Sequence, residues 1–274
     1  MASAGNGAVK IFYEEFGDPL DPLLVLIPGL GSQMLLFPEE LCLGFVDRGF
    51  RVVRVDNRDV GLSSRVPDGY SLGDMAADVV SVLDACESDD GHIAGVSMGG
   101  MIAQTVAARH PDRAATMTSI ASATGNPTFQ QPSPEVLEAL MKPAVEGSLD
   151  EIIESDLAAR RLWGSPDWHD DEVTRAYFRT AYQRARPDGA AYQRQIDAVN
   201  GDGNRDDEVA AITRPSLVIH GTRDTLIPPA AGEHTAALID GAELVLIDGM
   251  GHDLPVQMWP QLISSVTALA ARAA

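Results

Sequence analysis

The stretch Ile93-Ala94-Gly95-Val96-Ser97-Met98-Gly99-Gly100 holds the spacing most able to do chemistry, Gly-x-Ser-x-Gly. An apolar run, Ile93 to Val96, leads into it, and a helical run, Met101 to Arg109, leads away. A serine at the apex of a sharp strand-to-helix turn is strained, and its hydroxyl stands free above the sheet. Residues two before and two after that serine crowd each other, so Gly95 and Gly99 must lack side chains. The helix start beside the serine offers free N–H groups and a dipole that favours developing negative charge. The bland alternative is a glycine-rich turn with an incidental serine; the strand before and the helix after argue against it.

A serine hydroxyl needs a base to take its proton, and the base needs a third group to hold its tautomer. His252 answers the first requirement, in the Gly-flanked loop Asp248-Gly249-Met250-Gly251-His252-Asp253, just past the apolar run ending at Ile247. Asp224 answers the second, four residues after His220 closes the preceding apolar run. Among rival acids, Asp56 sits in a turn whose charges can satisfy one another. Asp253 adjoins the base and cannot easily reach its far nitrogen, and Asp248 is the serious alternative. Of the other histidines, His220 suits a place beneath the site, His110 a helix end, and His92 a strand start; His169 and His234 lie in polar surroundings. A tetrahedral intermediate needs two aimed N–H donors. Met98 supplies one, and Leu30, in the loop Pro28-Gly29-Leu30-Gly31, the other.

Elements that could carry these residues are legible as alternation. Val9 to Glu15 reads as an edge strand. Leu23 to Ile27 is a five-residue apolar run suited to a strand buried on both faces, and Arg51 to Val55 follows as the next strand. Ser71 to Cys86 is an amphipathic helix opened by a Ser71/Asp74 capping box. Met34 to Arg48 reads as helical, Ala115 to Ala121 as a strand. Repeated strand–helix order predicts an α/β fold with a mostly parallel sheet flanked by helices, its strand C-termini sharing one rim. From Thr124 to about Glu208 the strands stop. Helices are predicted over Pro134–Glu146, Leu149–Leu162, Asp170–Arg184 and Gly189–Val199. Seven of the 15 aromatic residues fall between 129 and 192, which suits the underside of an inserted helical cap or simple helix-on-helix packing. Alternation resumes with a strand Ser216–His220, a helix Pro229–Ile239, a strand Glu243–Ile247 and a helix Pro255–Arg272. The expected organisation is a core of residues 1–123 and 209–274 with a helical cap over 124–208.

At 274 residues the chain can bury one sizeable core. Its formal charge of −20 is spread through the body, with −9 over 1–134, −8 over 135–208 and −3 over 209–274. That balance argues against nucleic acid and anionic membranes as partners. Cys42 and Cys86 have no ligand-type spacing, so they are expected as core residues and no metal is expected. No signal peptide and no membrane-length apolar run is evident. A soluble, cytoplasmic protein without membrane insertion, monomeric or homodimeric, is the expectation.

The chain resembles the α/β-hydrolase superfamily, whose chain order Ser…Asp…His it shares. Four stretches carry the likeness: Phe16-Gly17-Asp18-Pro19, Arg54 through Ser63, Val96-Ser97-Met98-Gly99 and Gly249-Met250-Gly251-His252. They are most similar to the branch of aclacinomycin methylesterase and small bacterial lipases and esterases. Two departures stand out: Pro28-Gly29 where His-Gly is usual, and Asp253 after the base where small residues are common. The resemblance implies a cofactor-independent hydrolase with its cap between the sheet halves. The expected activity is cleavage of a small-alcohol, methyl-type carboxylic ester of an apolar substrate through an acyl-enzyme. Gln33, Met34, Trp163 and Trp168 are candidate pocket walls. Lactonase, thioesterase, C–C hydrolase, acyltransferase or perhydrolase chemistry could use the same three residues, and a non-catalytic ligand-binding module is the alternative outside enzymes. Haloalkane dehalogenase and epoxide hydrolase chemistry would need a carboxylate where Ser97 stands.

Overall fold

The computed structural model describes residues 2–129, 131–141 and 147–273. Strands β1 (Ala2–Asn6), β2 (Val9–Phe16) and β3 (Leu23–Ile27) open the chain. Helix α1 (Glu39–Val46), strand β4 (Arg51–Val55), helix α2 (Leu72–Ala85) and strand β5 (Gly91–Val96) come next. Helix α3 (Met98–Arg109) and strand β6 (Ala114–Ile120) complete the first run of alternation. Five helices then follow without a strand among the described residues: α4 (Pro134–Leu140), α5 (Leu149–Trp163), α6 (Asp171–Arg184), α7 (Gly189–Asp202) and α8 (Asp206–Ala210). Strand β7 (Ser216–Gly221), helix α9 (Pro229–Leu238), strand β8 (Glu243–Ile247) and helix α10 (Trp259–Ala270) end the chain.

The eight strands form one sheet in the order β1-β2-β4-β3-β5-β6-β7-β8. Pairings β1/β2 and β2/β4 are antiparallel and all others are parallel. This is the α/β architecture that the alternation predicts. β3 shows why a continuous apolar run was needed at the centre. Leu23, Val25 and Ile27 face one core, with Met75, Val79 and Leu83 of α2 and Ile102 and Val106 of α3. Leu24 and Leu26 face the other, with Leu41 and Phe45 of α1 and Leu262, Val266 and Leu269 of α10. Cys86 joins the first core and Cys42 the second, both as free thiols.

Several boundaries differ from those read in the sequence, each for a local reason. β1 goes unpredicted because Ala2-Ser-Ala-Gly-Asn is poor in strand formers; pairing along β2 holds it. The Met34–Arg48 segment splits into a 3-10 turn at Met34–Leu36 and α1, with Pro38 as the N-cap between them. The last helix likewise starts at Trp259, after a 3-10 turn at Val256–Met258. α3 begins at Met98, three residues before the predicted start, directly after Ser97. α4 ends at Leu140, and the rest of the predicted Pro134–Glu146 helix lies outside the described residues beyond Met141. Ser71 and Asp74 form the predicted capping box.

The glycines around Ser97 allow close backbone contact. A Cβ on Gly95 would lie 2.0 Å from the Gly99 carbonyl oxygen. One on Gly99 would lie 2.1 Å from the Ile27 oxygen, so Gly99 is required by the end of β3 rather than by Gly95 alone. Gly95→Ala is therefore expected to cost more than about 4 kcal/mol. A thermal melt should show a Tm fall above about 10 °C or no cooperative transition; an unchanged Tm would mean the turn relaxes freely.

Candidate active site

Ser97 sits between β5 and α3 with φ 58° and ψ −122°, a left-handed backbone that a non-glycine residue adopts only under constraint. The constraint is visible on both sides. Its N–H donates to the Ile120 carbonyl at 2.8 Å, tying the turn to β6. Its carbonyl accepts from Gly100 N at 2.9 Å, Met101 N at 3.2 Å and Ser122 Oγ at 2.7 Å.

His252 lies in the loop after β8 and Asp224 in the loop after β7. His252 Nδ1 is 2.7 Å from Asp224 Oδ2. The other carboxylate oxygen of Asp224 accepts from Leu226 N and Ile227 N, each at 2.9 Å. His220 stands beneath, its Nε2 2.8 Å from the Ile227 carbonyl oxygen and 3.5 Å from Asp224 Oδ2. Burial alone would raise the Asp224 pKa, yet it is lowered to about 2, because His252 and His220 stabilise the carboxylate by charge and hydrogen bonding. Asp224 therefore stays ionised across the neutral range. The rival acids are held elsewhere. Asp253 accepts from Ser165 N at 3.0 Å and from its hydroxyl at 2.5 Å, and Asp248 accepts from the Thr222 hydroxyl. Asp56 accepts from Met34 N, Leu62 N and Arg184 Nη1.

Ser97 and His252 line one cavity of about 690 Å³. Among the described residues no hydrogen bond closes between them, an arrangement that commonly tightens only when substrate is bound. Leu30 and Met98 line the same cavity, and neither of their N–H groups donates to a protein acceptor among the described residues. The Leu30 loop lies against the serine: a Cβ on Gly29 would come 3.2 Å from Ser97 Cβ. The loop is pinned by Asn57 Nδ2 on the Pro28 carbonyl and by Gly31 N donating to Gln195 Oε1 at 2.8 Å. Gln195 on α7 is fully buried, and its Nε2 donates to the Arg58 carbonyl. A lone glutamine in an amphipathic helix carries no sequence signal for that role.

Of the four wall candidates, Trp163 lines this cavity and an adjoining one. Gln33 lines only the adjoining cavity. Its side chain is spent on the end of α6, donating to the Ala181 and Ala185 carbonyls and accepting from Arg184. Met34 lines neither cavity: at 1% exposure it is core, with its N–H bound to Asp56. Trp168 also lines neither. Its ring packs over Gly249 and against the α10 core. Met34 and Trp168 are thus placed among the packing residues, outside the lining of both cavities. No described helix is long and apolar enough to cross a membrane.

Residues 22–257 match the alpha/beta hydrolase fold family, and the chain belongs to it. It is 30% identical to rhodomycin D methylesterase DauP of Streptomyces sp. (strain C5), over 95% of this chain and 94% of that protein. Rhodomycin D methylesterase DnrP of Streptomyces peucetius is 29% identical over 96% of this chain and 95% of its own. The crystal structure of the enol-lactonase from Burkholderia xenovorans LB400 superposes with a TM-score of 0.81 at 24% identity, covering 98% of this chain and all of that one (100%).

Proposed function

We propose that this hydrolase cleaves carboxylic esters by nucleophilic catalysis. Ser97 Oγ attacks the ester carbonyl carbon while His252 Nε2 takes its proton. Asp224 holds the His252 Nδ1–H and balances the imidazolium charge. The carbonyl oxygen, now negative, receives the Leu30 and Met98 N–H groups. Collapse expels the alcohol, protonated by His252, and leaves an acyl group on Ser97. Water, deprotonated by His252, then releases the acid. The observation that carries this reading is the 2.7 Å contact from buried Asp224 to His252, which lines the same cavity as the strained Ser97. The unspent Leu30 and Met98 donors support it.

The methylesterase relatives favour a methyl or other small alcohol as leaving group. Val96, Met101, Leu137, Leu140 and Val199 on the cavity wall favour an apolar acyl part. Residues 124–208 act as the cap over that wall, with no cofactor required. The test is an ester panel varied separately in acyl and alcohol size, read by rapid quench. A burst of alcohol of about one equivalent per protein should precede steady turnover, and a fluorophosphonate should add mass at Ser97. A fluorophosphonate adduct elsewhere, or turnover undiminished by it, would refute the reading.

A further inference from the structure

Two cavities of about 690 Å³ each adjoin beside the helices that follow β6. The first holds Ser97 and His252; the second adds Asp156, Tyr177 and Tyr182. Arg160, on α5, lines both. Its Nη1 donates to the His252 carbonyl at 3.3 Å, and its Cζ lies 5.9 Å from the Phe178 ring centre. A guanidinium has five N–H donors. Those contacts use one of them, and among the described residues no carboxylate lies within ion-pair distance of Arg160. Its neighbours on these helices differ. Arg161 pairs with Asp171, Arg175 with Glu154 and Glu172, and Arg179 with Asp150. Of the acids on the same walls, none forms a close ion pair with it among the described residues. Asp253 is bound by Ser165, Asp156 accepts the Tyr182 hydroxyl, and Asp59 is bridged by Arg194.

A half-buried guanidinium with most of its donors unspent can gain two charge-assisted hydrogen bonds from a ligand carboxylate. The chain carries −20 overall, so no general field draws anions here; any preference for them must arise locally. We propose that Arg160 binds a free carboxylate on the substrate while the scissile carbonyl lies at Ser97. The substrates are then half-esters of dicarboxylic acids on an apolar frame. This rests on the reading of Ser97 as nucleophile. The planar fork matches a carboxylate with two parallel N–H bonds, which an ammonium cannot copy.

The test compares p-nitrophenyl half-esters of dicarboxylic acids, from succinate to suberate, with p-nitrophenyl esters of monoacids of equal length. At the best length the wild type should favour the half-ester in kcat/KM by about 10- to 100-fold. Arg160→Gln should collapse that ratio toward one, and Arg160→Lys should keep part of it. Binding is read without turnover, as slowing of fluorophosphonate labelling and as a change in tryptophan fluorescence, with Trp163 on the cavity wall, on adding the dicarboxylate to Ser97→Ala. Labelling at Ser97 with a wild-type ratio near one, and no dicarboxylate binding, overturns the inference alone. Absence of Ser97 labelling with Arg160-dependent dicarboxylate binding overturns the nucleophile and leaves the anion site standing. Should Arg160→Gln fail to fold, the wild-type ratio and the lysine variant still decide.

Discussion

Ser97→Ala is expected to lower kcat on p-nitrophenyl esters by about 10⁶-fold and to abolish fluorophosphonate labelling. The size follows from the absence of any other nucleophile in the same turn. On the proposed mechanism, binding and the Leu30 and Met98 donors would survive, together worth about 10³–10⁴ over uncatalysed hydrolysis. Stability should barely move. The Ser97 hydroxyl hydrogen-bonds to no protein group among the described residues, so its removal orphans none. Alanine also keeps the Cβ that already tolerates φ 58°. The change in unfolding free energy should stay within about 0.5 kcal/mol. A variant that melts like the wild type and still turns over esters at the wild-type rate would remove Ser97 from the chemistry. A variant that melts far lower would assign the serine a structural role.

The parts of this arrangement that could be read in the sequence are those written in adjacent residues. β3 is an uninterrupted apolar run because both its faces are covered, and α2 announces itself by Ser71 and Asp74. The positions of Ser97, Asp224 and His252 were legible as polar residues placed just past apolar runs, with glycines two residues either side of Ser97 and one directly before His252. The pieces that escaped are those decided by distant contacts. Gln195 reaches Gly31 across 164 residues, and Gln33 reaches Ala181 across 148. Their roles depend on how α6 and α7 settle on the sheet, which no local pattern encodes. Met34 and Trp168, which pack away from both cavities, show a different ambiguity. Apolar side chains near a site are as welcome to the core as to the substrate, and the two uses look identical along the chain. Arg160 escaped as well, since a charged residue on an amphipathic helix ordinarily faces water.

Asp224→Asn should lower kcat by about 10⁴-fold while preserving the fold. The geometry fixes how the amide must sit. Leu226 N and Ile227 N both point at the Oδ1 position, so the amide oxygen must occupy it. The amide NH₂ is then driven to the Oδ2 position, 2.7 Å from His252 Nδ1. A donor there can be met only by an unprotonated Nδ1, which moves the imidazole proton to Nε2. That nitrogen can no longer accept the Ser97 proton, so labelling by a fluorophosphonate should slow along with turnover. A pH series gives an independent check. The wild-type carboxyl titrates near 2 when folded, against an ordinary value of 3.8. Its stabilising effect is therefore fully present above about pH 5 and fades as pH falls toward 2. The Tm gap between wild type and Asp224→Asn should narrow over that window, because only the wild type loses a carboxylate there. A gap that stays constant from pH 6 to pH 2 would mean that Asp224 carries no depressed pKa, and the ion pair with His252 would have to be abandoned.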